Sequence, residues 1–394
     1  MNHTAFAPSR RAALAMLAAL TSLATAPAIA QSPPPPTTPD TRLGSILVLS
    51  GGGARGAYEA GVIEGLVQRG NVHDGEPIPG VDAVVGTSIG AINGWFVATA
   101  QYSALRAAWQ SISNADLFRL KRRYAAMARP SAGIATRLME SVSLLANLNR
   151  TMDGVFDAAP VKAWLRCNID PERRPLVPLV FNASDIRNQR GTYFYAVDAP
   201  DDEAKQQQLL RALDSISGLP AVAQRAQSFL HDALYASIAL PLLFDPIELV
   251  VDGVPGLFVD GGSSDNTAID IARVLGPRVN AILVDPPLAR YEPANAIAAA
   301  LGSFNLLQRR ILEASMRNAY ATTLLKRTLA AAPVDAAQRA FLDGLYDVDL
   351  GILRPSSEVP GDLSDFQNQA KLQDTYARGI ADAAGGWSPY VPPA

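Results

Sequence analysis

The sequence is short of the residues on which disulfide and metal chemistry depend. Its 394 residues include one cysteine, Cys167, and three histidines. A single cysteine excludes an internal disulfide framework and a cysteine-based zinc cluster, and three histidines leave little material for a histidine-rich metal site. Nothing around Cys167 indicates a reactive thiol, so we expect a small buried side chain there.

Charge is also sparse, and neither sign dominates. Lys and Arg number 34 against 37 Asp and Glu, the formal net charge is −3, and 48% of the residues are hydrophobic. This balance excludes a nucleic-acid partner held by general electrostatics, and the composition is that of a folded protein. Beyond residue 30, no apolar run is long enough to cross a bilayer as a helix.

The N-terminus has the three parts of a secretory signal peptide. Arg10 and Arg11 precede an apolar run from Ala12 to Leu20, and Ala28-Ile29-Ala30 supplies a small-residue cleavage site. We therefore predict that residues 1–30 are a signal peptide cleaved near Ala30, and that the protein is exported to the periplasm or secreted.

A proline-rich stretch follows the predicted cleavage site. Residues 31–42 begin QSPPPPTTPD, which is typical of a stiff linker without a core of its own. No second linker is evident, so residues 43–394 are predicted to form one catalytic domain.

Short apolar runs then alternate with helical patterns. Ile46–Leu49 and Ala83–Val85 read as strands buried on both faces, followed by helices at Ala57–Arg69 and Ala91–Ala100. Gly70 is predicted to end the first helix in a left-handed conformation. The alternation predicts an α/β fold with a mainly parallel central sheet flanked by helices.

Further elements are predicted along the rest of the chain. The basic cluster Lys121-Arg122-Arg123 reads as a solvated helix face, with contact to an anion or a membrane as the alternative. Asp252-Gly253 reads as a hairpin turn. The predicted strands are Leu176–Phe181, Ile247–Val251, Leu257–Val259 and Ala281–Val284, and the predicted helices are Lys205–Ile216, Ala296–Leu325 and Ala336–Leu345.

The first chemical motif is the loop Gly51-Gly52-Gly53-Ala54-Arg55-Gly56, between a strand and a helix. Glycines there let backbone N–H groups point outward at the positive end of the helix, which makes an anion cradle. The cradle could hold a phosphate or the oxyanion of an acyl transfer. The dinucleotide interpretation requires an acidic residue at the end of a second strand, whereas Asp74 and Glu76 lie in a polar loop.

The second motif is the pentapeptide Gly86-Thr87-Ser88-Ile89-Gly90. A G-x-S-x-G sequence between a strand and a helix presents its serine on a sharp turn. Gly86 and Gly90 are expected where strand and helix approach too closely for side chains. Ser88 is therefore a candidate nucleophile.

Two residues are candidates for the base that such a serine needs. His231 lies on a predicted helix and could complete a Ser–His–acid triad, although such a histidine more often packs or caps a helix. Asp260, followed by Gly261 and Gly262, comes directly after the predicted strand Leu257–Val259. Functional residues of open α/β sheets collect at such strand ends.

Together, GGGARG, GTSIG and DGG in this order resemble the patatin-like phospholipases, which are serine lipid acyl hydrolases with a Ser–Asp dyad. Ala236–Pro241 is similar to the A-S-x-A-x-P stretch of that family, and Ala183-Ser184-Asp185 to its T/S-x-D segment. One departure is Ala268, where the family often has the proline of N-x-P; we expect it to alter only the start of the next helix.

The resemblance implies a three-layer α/β/α fold and roles for the matched residues. Ser88 would be the nucleophile and Asp260 the general base, acting without a metal or cofactor. The loop Gly51–Gly56 would form the oxyanion hole, with Gly86, Thr87, Ile89 and Gly90 shaping the nucleophile turn and Gly261 and Gly262 the aspartate loop. The implied substrate is a phospholipid or another acyl-ester lipid, with transient contact to a membrane surface.

Two other functions stay open from the sequence. One is a nucleotide-binding protein that uses the glycine loop, and the other is a lipid-binding protein of this fold with little catalytic activity. The sequence does not indicate whether the substrate is a phospholipid or a lysophospholipid, or whether the acyl group is transferred to water or to another alcohol. It does not indicate the oligomeric state either.

Overall fold

A computed structural model describes residues 42–113, 117–124, 153–197, 207, 221–225, 229–285, 296–357, 359, 366 and 368–392. All of them belong to one compact unit that begins at Thr41. The predicted signal peptide, all of the predicted linker but its last residue, and the predicted helix Lys205–Ile216 apart from residue 207 lie outside the described residues.

The strands form one large sheet and one small ribbon. They are β1 (Ser45–Leu49), β2 (Ala83–Thr87), β3 (Arg119–Leu120), β4 (Phe156–Asp157), β5 (Leu179–Asp185), β6 (Arg190–Ala196), β7 (Ala221–Arg225), β8 (Ile247–Val251), β9 (Val254–Asp260), β10 (Arg278–Ile282), β11 (Asp349–Leu353) and β12 (Ser388–Pro389).

Nine α-helices occur in the described part of the chain. They are α1 (Gly56–Gly70), α2 (Ile89–Ala98), α3 (Tyr102–Ser111), α4 (Ala159–Asn168), α5 (Leu230–Ile238), α6 (Ile269–Leu275), α7 (Ala296–Leu329), α8 (Ala336–Asp343) and α9 (Gln369–Ala383).

The large sheet is mixed and mostly parallel. It has ten strands, in the order β12-β11-β10-β1-β2-β5-β6-β7, with β9 also paired to β5 and β8 to β9. The five strands from β11 to β5 in this order are parallel to one another, whereas β12 runs antiparallel to β11, and β6 and β9 run antiparallel to β5. The mainly parallel central sheet predicted from the sequence is confirmed.

Helices cover both faces of this sheet. Along β1, Leu47 and Leu49 belong to one buried cluster, which α1, α2, α3, α5 and α9 cover, while Ile46 and Val48 belong to a second cluster with α6 and α7. Successive side chains of a strand point to opposite faces, so an uninterrupted apolar strand needs a hydrophobic layer on each side. The result is a three-layer α/β/α arrangement.

Local details follow the sequence with a few corrections. The left-handed residue after α1 is Asn71 (φ 49°) rather than Gly70, which is the last residue of the helix. Pro178 precedes β5, so it disturbs no ladder hydrogen bond of this central strand. Cys167 is exposed, because the buried side of α4 is formed by Val161 and Leu165.

The predicted hairpin is confirmed at β8 and β9. Asp252 (φ 52°) and Gly253 (φ 73°) form its two-residue turn, in the conformation that suits the twist of the paired strands. The basic cluster is divided between partners, since Lys121 pairs with Asp245 at 2.5 Å and Arg123 with Asp153 at 2.7 Å. None of the described helices is both long and apolar enough to cross a membrane.

Candidate active site

One edge of β5 brings the candidate nucleophile and base together. The parallel strand β2 occupies this edge as far as Thr87, which lies opposite Asn182. The antiparallel strand β9 continues along it from the other direction, with Asp260 opposite Ala183. The two strands therefore meet end to end, and the last residue of β9 faces Ser88, the residue that follows β2.

Ser88 sits on a sharp turn between β2 and α2. Its backbone angles are φ 54° and ψ −125°, in the left-handed half of the conformational map that non-glycine residues rarely adopt. Its N–H donates to Ser237 Oγ at 3.0 Å, a contact that helps hold the turn. Strained backbone of this kind persists where the surrounding structure fixes it, and it occurs most often at functional sites.

The glycines on either side of Ser88 are required by close packing. A Cβ atom on Gly86 would lie 2.5 Å from the carbonyl oxygen of Gly90, and one on Gly90 would lie 2.4 Å from the carbonyl oxygen of Leu49. Both contacts are with backbone atoms, which cannot move aside cheaply. Ile89 fills the space beside Gly56, so the nucleophile turn packs directly against the glycine loop.

Asp260 is positioned by hydrogen bonds on both carboxyl oxygens. Ser88 Oγ donates to Oδ2 at 2.6 Å, and the N–H of Gly262 donates to Oδ1 at 2.7 Å. Asp260 is 1% exposed, and this burial raises the pKa of its carboxyl to about 7, although the bonds from Ser88 and Gly262 lower it in part. The carboxyl can therefore exchange a proton near neutral pH.

The glycine loop lies beside Ser88. A Cβ atom on Gly51 would approach Ser88 Cβ to 3.2 Å and Asn266 Oδ1 to 2.2 Å, so only glycine fits. Residues Gly53–Arg55 form a short 3-10 helix that leads into α1, with Gly53 at φ 56°. The loop is thus the N-terminal approach to a helix, as the sequence predicts.

The six N–H groups of this loop are not equivalent. The N–H of Gly51 donates to the carbonyl of Asn266 at 2.9 Å, that of Arg55 to Gly52 at 3.2 Å, and that of Gly56 to Ala54 and Gly53. Within the described part of the chain, no hydrogen bond uses the N–H of Gly52, Gly53 or Ala54. These three groups are the ones left to bind an anion.

The side chain of Arg55 forms an ion pair with Asp285, which follows β10. Val284, the residue before Asp285, lies against Gly52, where a Cβ atom would approach it to 2.5 Å. The ion pair therefore holds the glycine loop against the segment that follows β10.

Asn266 joins the glycine loop to the aspartate loop. Besides accepting from Gly51, it donates from Nδ2 to the carbonyl of Gly51 at 3.1 Å. Helix α6 starts at Ile269 after Ala268, which has no side-chain cap. The N-x-A pattern after DGG indicates the position of Asn266 in the sequence. Only the structure shows that this residue connects the two loops.

Asn182 is a site residue that sequence reasoning missed. Its Oδ1 accepts from Thr87 Oγ1 at 2.7 Å, while its Nδ2 donates to the carbonyls of Gly261 (3.1 Å) and Asp265 (2.9 Å). A Cβ atom on Gly261 would lie 2.4 Å from the carbonyl oxygen of Asn182. A lone asparagine inside a strand carries no signal of this role.

The two other family-like stretches contact the backbone next to Ser88 and Asp260. Ser237, from the A-S-x-A-x-P stretch, accepts the N–H of Ser88, and the carbonyl of Ala239 accepts the N–H of Asp260 at 2.9 Å. Ser184, from the S-x-D segment, donates to the carbonyl of Asp260 at 3.0 Å. These bonds fix backbone atoms of both Ser88 and Asp260.

His231 is engaged elsewhere. It lies on α5, as expected, and its Nε2 hydrogen-bonds the carbonyl of Ile169 at 2.8 Å. The hydroxyl of Ser88 is directed to Asp260 instead. Among the two candidate bases, the geometry favours the aspartate.

Glu59 is a second buried carboxyl close to the site. It lies in the first turn of α1, is 0% exposed, and accepts from Asn93 Nδ2 at 2.9 Å. Burial raises its pKa to about 8, while the bonds from Asn93 and from the backbone of Ser50 lower it in part. Glu59 is therefore predominantly neutral at pH 7.

The acids named for a nucleotide site have structural partners. Asp74 accepts the N–H of Ser103 at the start of α3, and Glu76 accepts the N–H of His73. In the part of the chain that the structure describes, no group of His, Cys, Asp or Glu has an arrangement that could hold a metal ion.

Comparisons with known proteins give one family match. The family model described as "Patatin-like phospholipase" matches residues 47–273, more than half of the 394-residue chain. Among solved structures, the chain is similar to VipD from Legionella pneumophila, with 13% identity, coverage of 89% of this chain and 68% of that chain, and a TM-score of 0.36. No curated protein sequence matches the chain.

Proposed function

Because the chain belongs to the patatin-like phospholipase family, we propose that it hydrolyses fatty acyl esters of lipids through an acyl-enzyme on Ser88, with Asp260 as general base. Family membership supports lipid acyl hydrolysis in general. The observation that carries the finer proposal is the 2.6 Å hydrogen bond from Ser88 Oγ to the buried Asp260 Oδ2.

In the first half of the reaction, Ser88 Oγ attacks the carbonyl carbon of the ester. Its proton passes to Asp260 Oδ2, and the negative charge develops on the former carbonyl oxygen. The N–H groups of Gly52, Gly53 and Ala54 are the candidate donors to this oxyanion, and one such donor contributes about 3 kcal/mol to the stability of the transition state. Asp260 then gives the proton to the leaving alcohol oxygen as the ester bond breaks.

In the second half, water attacks the acyl group on Ser88. Asp260 accepts a proton from the water, and the ester bond to Ser88 breaks to release the fatty acid. The proton returns to Ser88 Oγ, which restores the dyad. Each step moves one proton between Asp260 and an oxygen that forms or breaks a bond.

The raised pKa of Asp260 supports this assignment. An aspartate with an ordinary pKa near 4 is a weak base at neutral pH. Burial raises the pKa of Asp260 to about 7, so the carboxyl can both accept and return a proton under physiological conditions.

The test is a product analysis of a mixed phospholipid extract by mass spectrometry. The chain without its signal peptide should release free fatty acid and lyso-lipid, Ser88→Ala should release none, and Asp260→Asn should lose about 10³-fold or more of the rate. His231→Ala is the matched control and should keep its rate. Loss of activity in His231→Ala with retention in Asp260→Asn would overturn the dyad.

Export is part of the proposal. The arginines, apolar run and small residues within positions 1–30 support a cleaved signal peptide and a periplasmic or secreted protein. N-terminal sequencing of the protein from its producing cell should start near Gln31; an intact Met1 would contradict export by this route.

A further inference from the structure

The outer face of α7 is unusually apolar for a solvent-facing surface. Four of its leucines are exposed: Leu306 (60%), Leu307 (56%), Leu324 (55%) and Leu325 (42%). The two pairs are separated by 18 residues, which is five turns of an α-helix, so both pairs lie on the same side about 27 Å apart. Grouped exposed apolar residues mark an interaction surface more often than scattered ones do.

The opposite face of α7 packs against the hydrophobic core. Met316 and Ala319 are buried in the second core cluster, and Leu312 packs against it. The exposed leucines are therefore not needed to attach α7 to the sheet. They form a second apolar face on a helix whose first apolar face is already covered.

Basic residues outnumber acidic ones on α7 itself, although Arg317 pairs with Glu313, and Lys326 and Arg327 pair with Asp347. The α7 sequence contains Arg309, Arg310, Arg317, Lys326 and Arg327 and a single acidic residue, Glu313. Arg310 is exposed, lies on the same side as the leucines, and makes no ion pair with any described residue. Exposed leucines together with an exposed arginine that has no ion pair among the described residues have the chemistry of a helix face that lies on a negatively charged lipid surface.

The inner side of α7 touches the candidate active site. Gln308 is 9% exposed, and its Nε2 would lie 2.3 Å from a Cβ atom on Gly262, the residue whose N–H binds Asp260. A helix with its side chains is about 10 Å across. A surface bound to the outer face of α7 would therefore lie within about one helix diameter of the aspartate loop.

We infer that the outer face of α7, defined by Leu306, Leu307, Arg310, Leu324 and Leu325, docks the protein on an anionic phospholipid surface. The leucines enter the boundary between head groups and acyl chains, and Arg310 binds lipid phosphate. The purpose of this docking rests on the proposed function, since the bound lipid surface would also supply the substrate. The docking itself does not depend on turnover.

Binding is measured in the Ser88→Ala background, so that no lipid is consumed. Sedimentation with phosphatidylglycerol vesicles should show binding that falls at raised salt, and phosphatidylcholine vesicles should bind more weakly. Leu306→Ser with Leu307→Ser should reduce binding to phosphatidylglycerol about tenfold or more, and Arg310→Gln should reduce the preference for the anionic vesicles. The matched control is Leu176→Ser with Val250→Ser, which removes two exposed apolar side chains outside α7 and should leave binding unchanged.

A second measurement separates docking from catalysis and folding. With Ser88 intact, the Leu306→Ser, Leu307→Ser protein should hydrolyse a soluble short-chain ester at the wild-type rate and vesicle phospholipid about tenfold or more slowly. Leu324→Ser with Leu325→Ser should show the same split. Equal loss on both substrates would mean damage to the site and would overturn the inference.

Other results would also overturn it. Vesicle binding that survives both leucine pairs would show that another surface docks. A dimer in light scattering that both leucine pairs dissociate, with no vesicle binding, would show that a second copy of the chain covers this face. Failure of the proposed function would look different: a protein with intact Ser88 would bind vesicles through α7 and release no fatty acid.

Discussion

At the scale of single residues, the site depends on a carboxyl that is removed from water. Asp260 is held by two hydrogen bonds, and Ser88 by an unusual backbone conformation and a bond to Ser237. Burial of a carboxylate opposes folding whenever the group is charged. The charged form of Asp260 therefore lowers the stability of the fold at the position where the proposed reaction uses a base.

The activity of the protein should depend on pH through Asp260. Only the charged carboxyl can accept the proton of Ser88, and burial raises its pKa to about 7. We expect kcat/KM for an uncharged ester to rise with pH around a midpoint near 7 and then level off. The Glu59→Gln variant is the control and should keep this midpoint. A rate that is constant from pH 5 to 9 would contradict the role of Asp260.

Glu59 should affect stability rather than activity. Its folded-state pKa is raised to about 8 from an ordinary value of 4.5, so its contribution to the free energy of unfolding is fully present below about pH 4.5 and is lost as pH rises through 8. Between pH 5 and 9, the wild type should lose up to about 4 kcal/mol more unfolding free energy than Glu59→Gln. Urea denaturation of both proteins at the two pH values measures the difference. Parallel losses would show that Glu59 is not a buried neutral acid.

At the scale of elements, close backbone approach decides which positions must be glycine. The G-x-S-x-G spacing predicted a strand, a sharp turn and a helix, and the contacts of Gly86 and Gly90 show why side chains are excluded. At Gly51 the excluding contacts are with side chains instead, since this residue lies between the side chains of Ser88 and Asn266. The sequence could not indicate what Asn182 and Asn266 contact, because their partners are far away in the chain.

Replacing Gly90 with alanine should damage both stability and activity. The added Cβ would lie 2.4 Å from the carbonyl oxygen of Leu49, so α2 must move away from β1 and carry Ser88 with it. We expect a loss of about 1–3 kcal/mol in unfolding free energy, together with a fall in kcat. Gly344→Ala is the control, because its Cβ would meet its nearest neighbour at an ordinary 3.5 Å. Equal effects of the two substitutions would count against the steric argument.

At the scale of the whole molecule, the fold extends beyond the matched family segment, which ends at residue 273. Strand β10 pairs with β1 along its whole length, and β11 pairs with β10. Helix α9 packs on α1 so closely that a Cβ atom on Gly379 would lie 2.1 Å from the carbonyl oxygen of Tyr58. The strand that leads into the glycine loop thus depends on the C-terminal part of the chain.

A chain that ends at residue 276 should therefore fail to fold. It would lack β10, so one edge of β1 would have no partner, and α1 would lose the cover of α9. Circular dichroism during urea denaturation should show no cooperative transition, whereas residues 42–394 should unfold cooperatively. Soluble-ester hydrolysis by the shortened chain would contradict this expectation.

The sequence by itself determined the local parts of this protein. The apolar runs at β1 and β2, the glycine loop, the turn around Ser88 and the hairpin before Asp260 follow from periodicity and turn chemistry over a few residues. The strands β6 and β11 and the helix α9 were not predicted, because their patterns are short or weak and their burial comes from distant partners.

Only the tertiary structure decided that Ser88 and Asp260, which are 172 positions apart, share a hydrogen bond. The reason is geometric: β2 and β9 approach along the same edge of β5 from opposite directions, and their ends meet at Asn182 and Ala183. Strand direction and register depend on how the whole sheet assembles. Local sequence can mark the end of each strand, but it does not say which two ends will face each other.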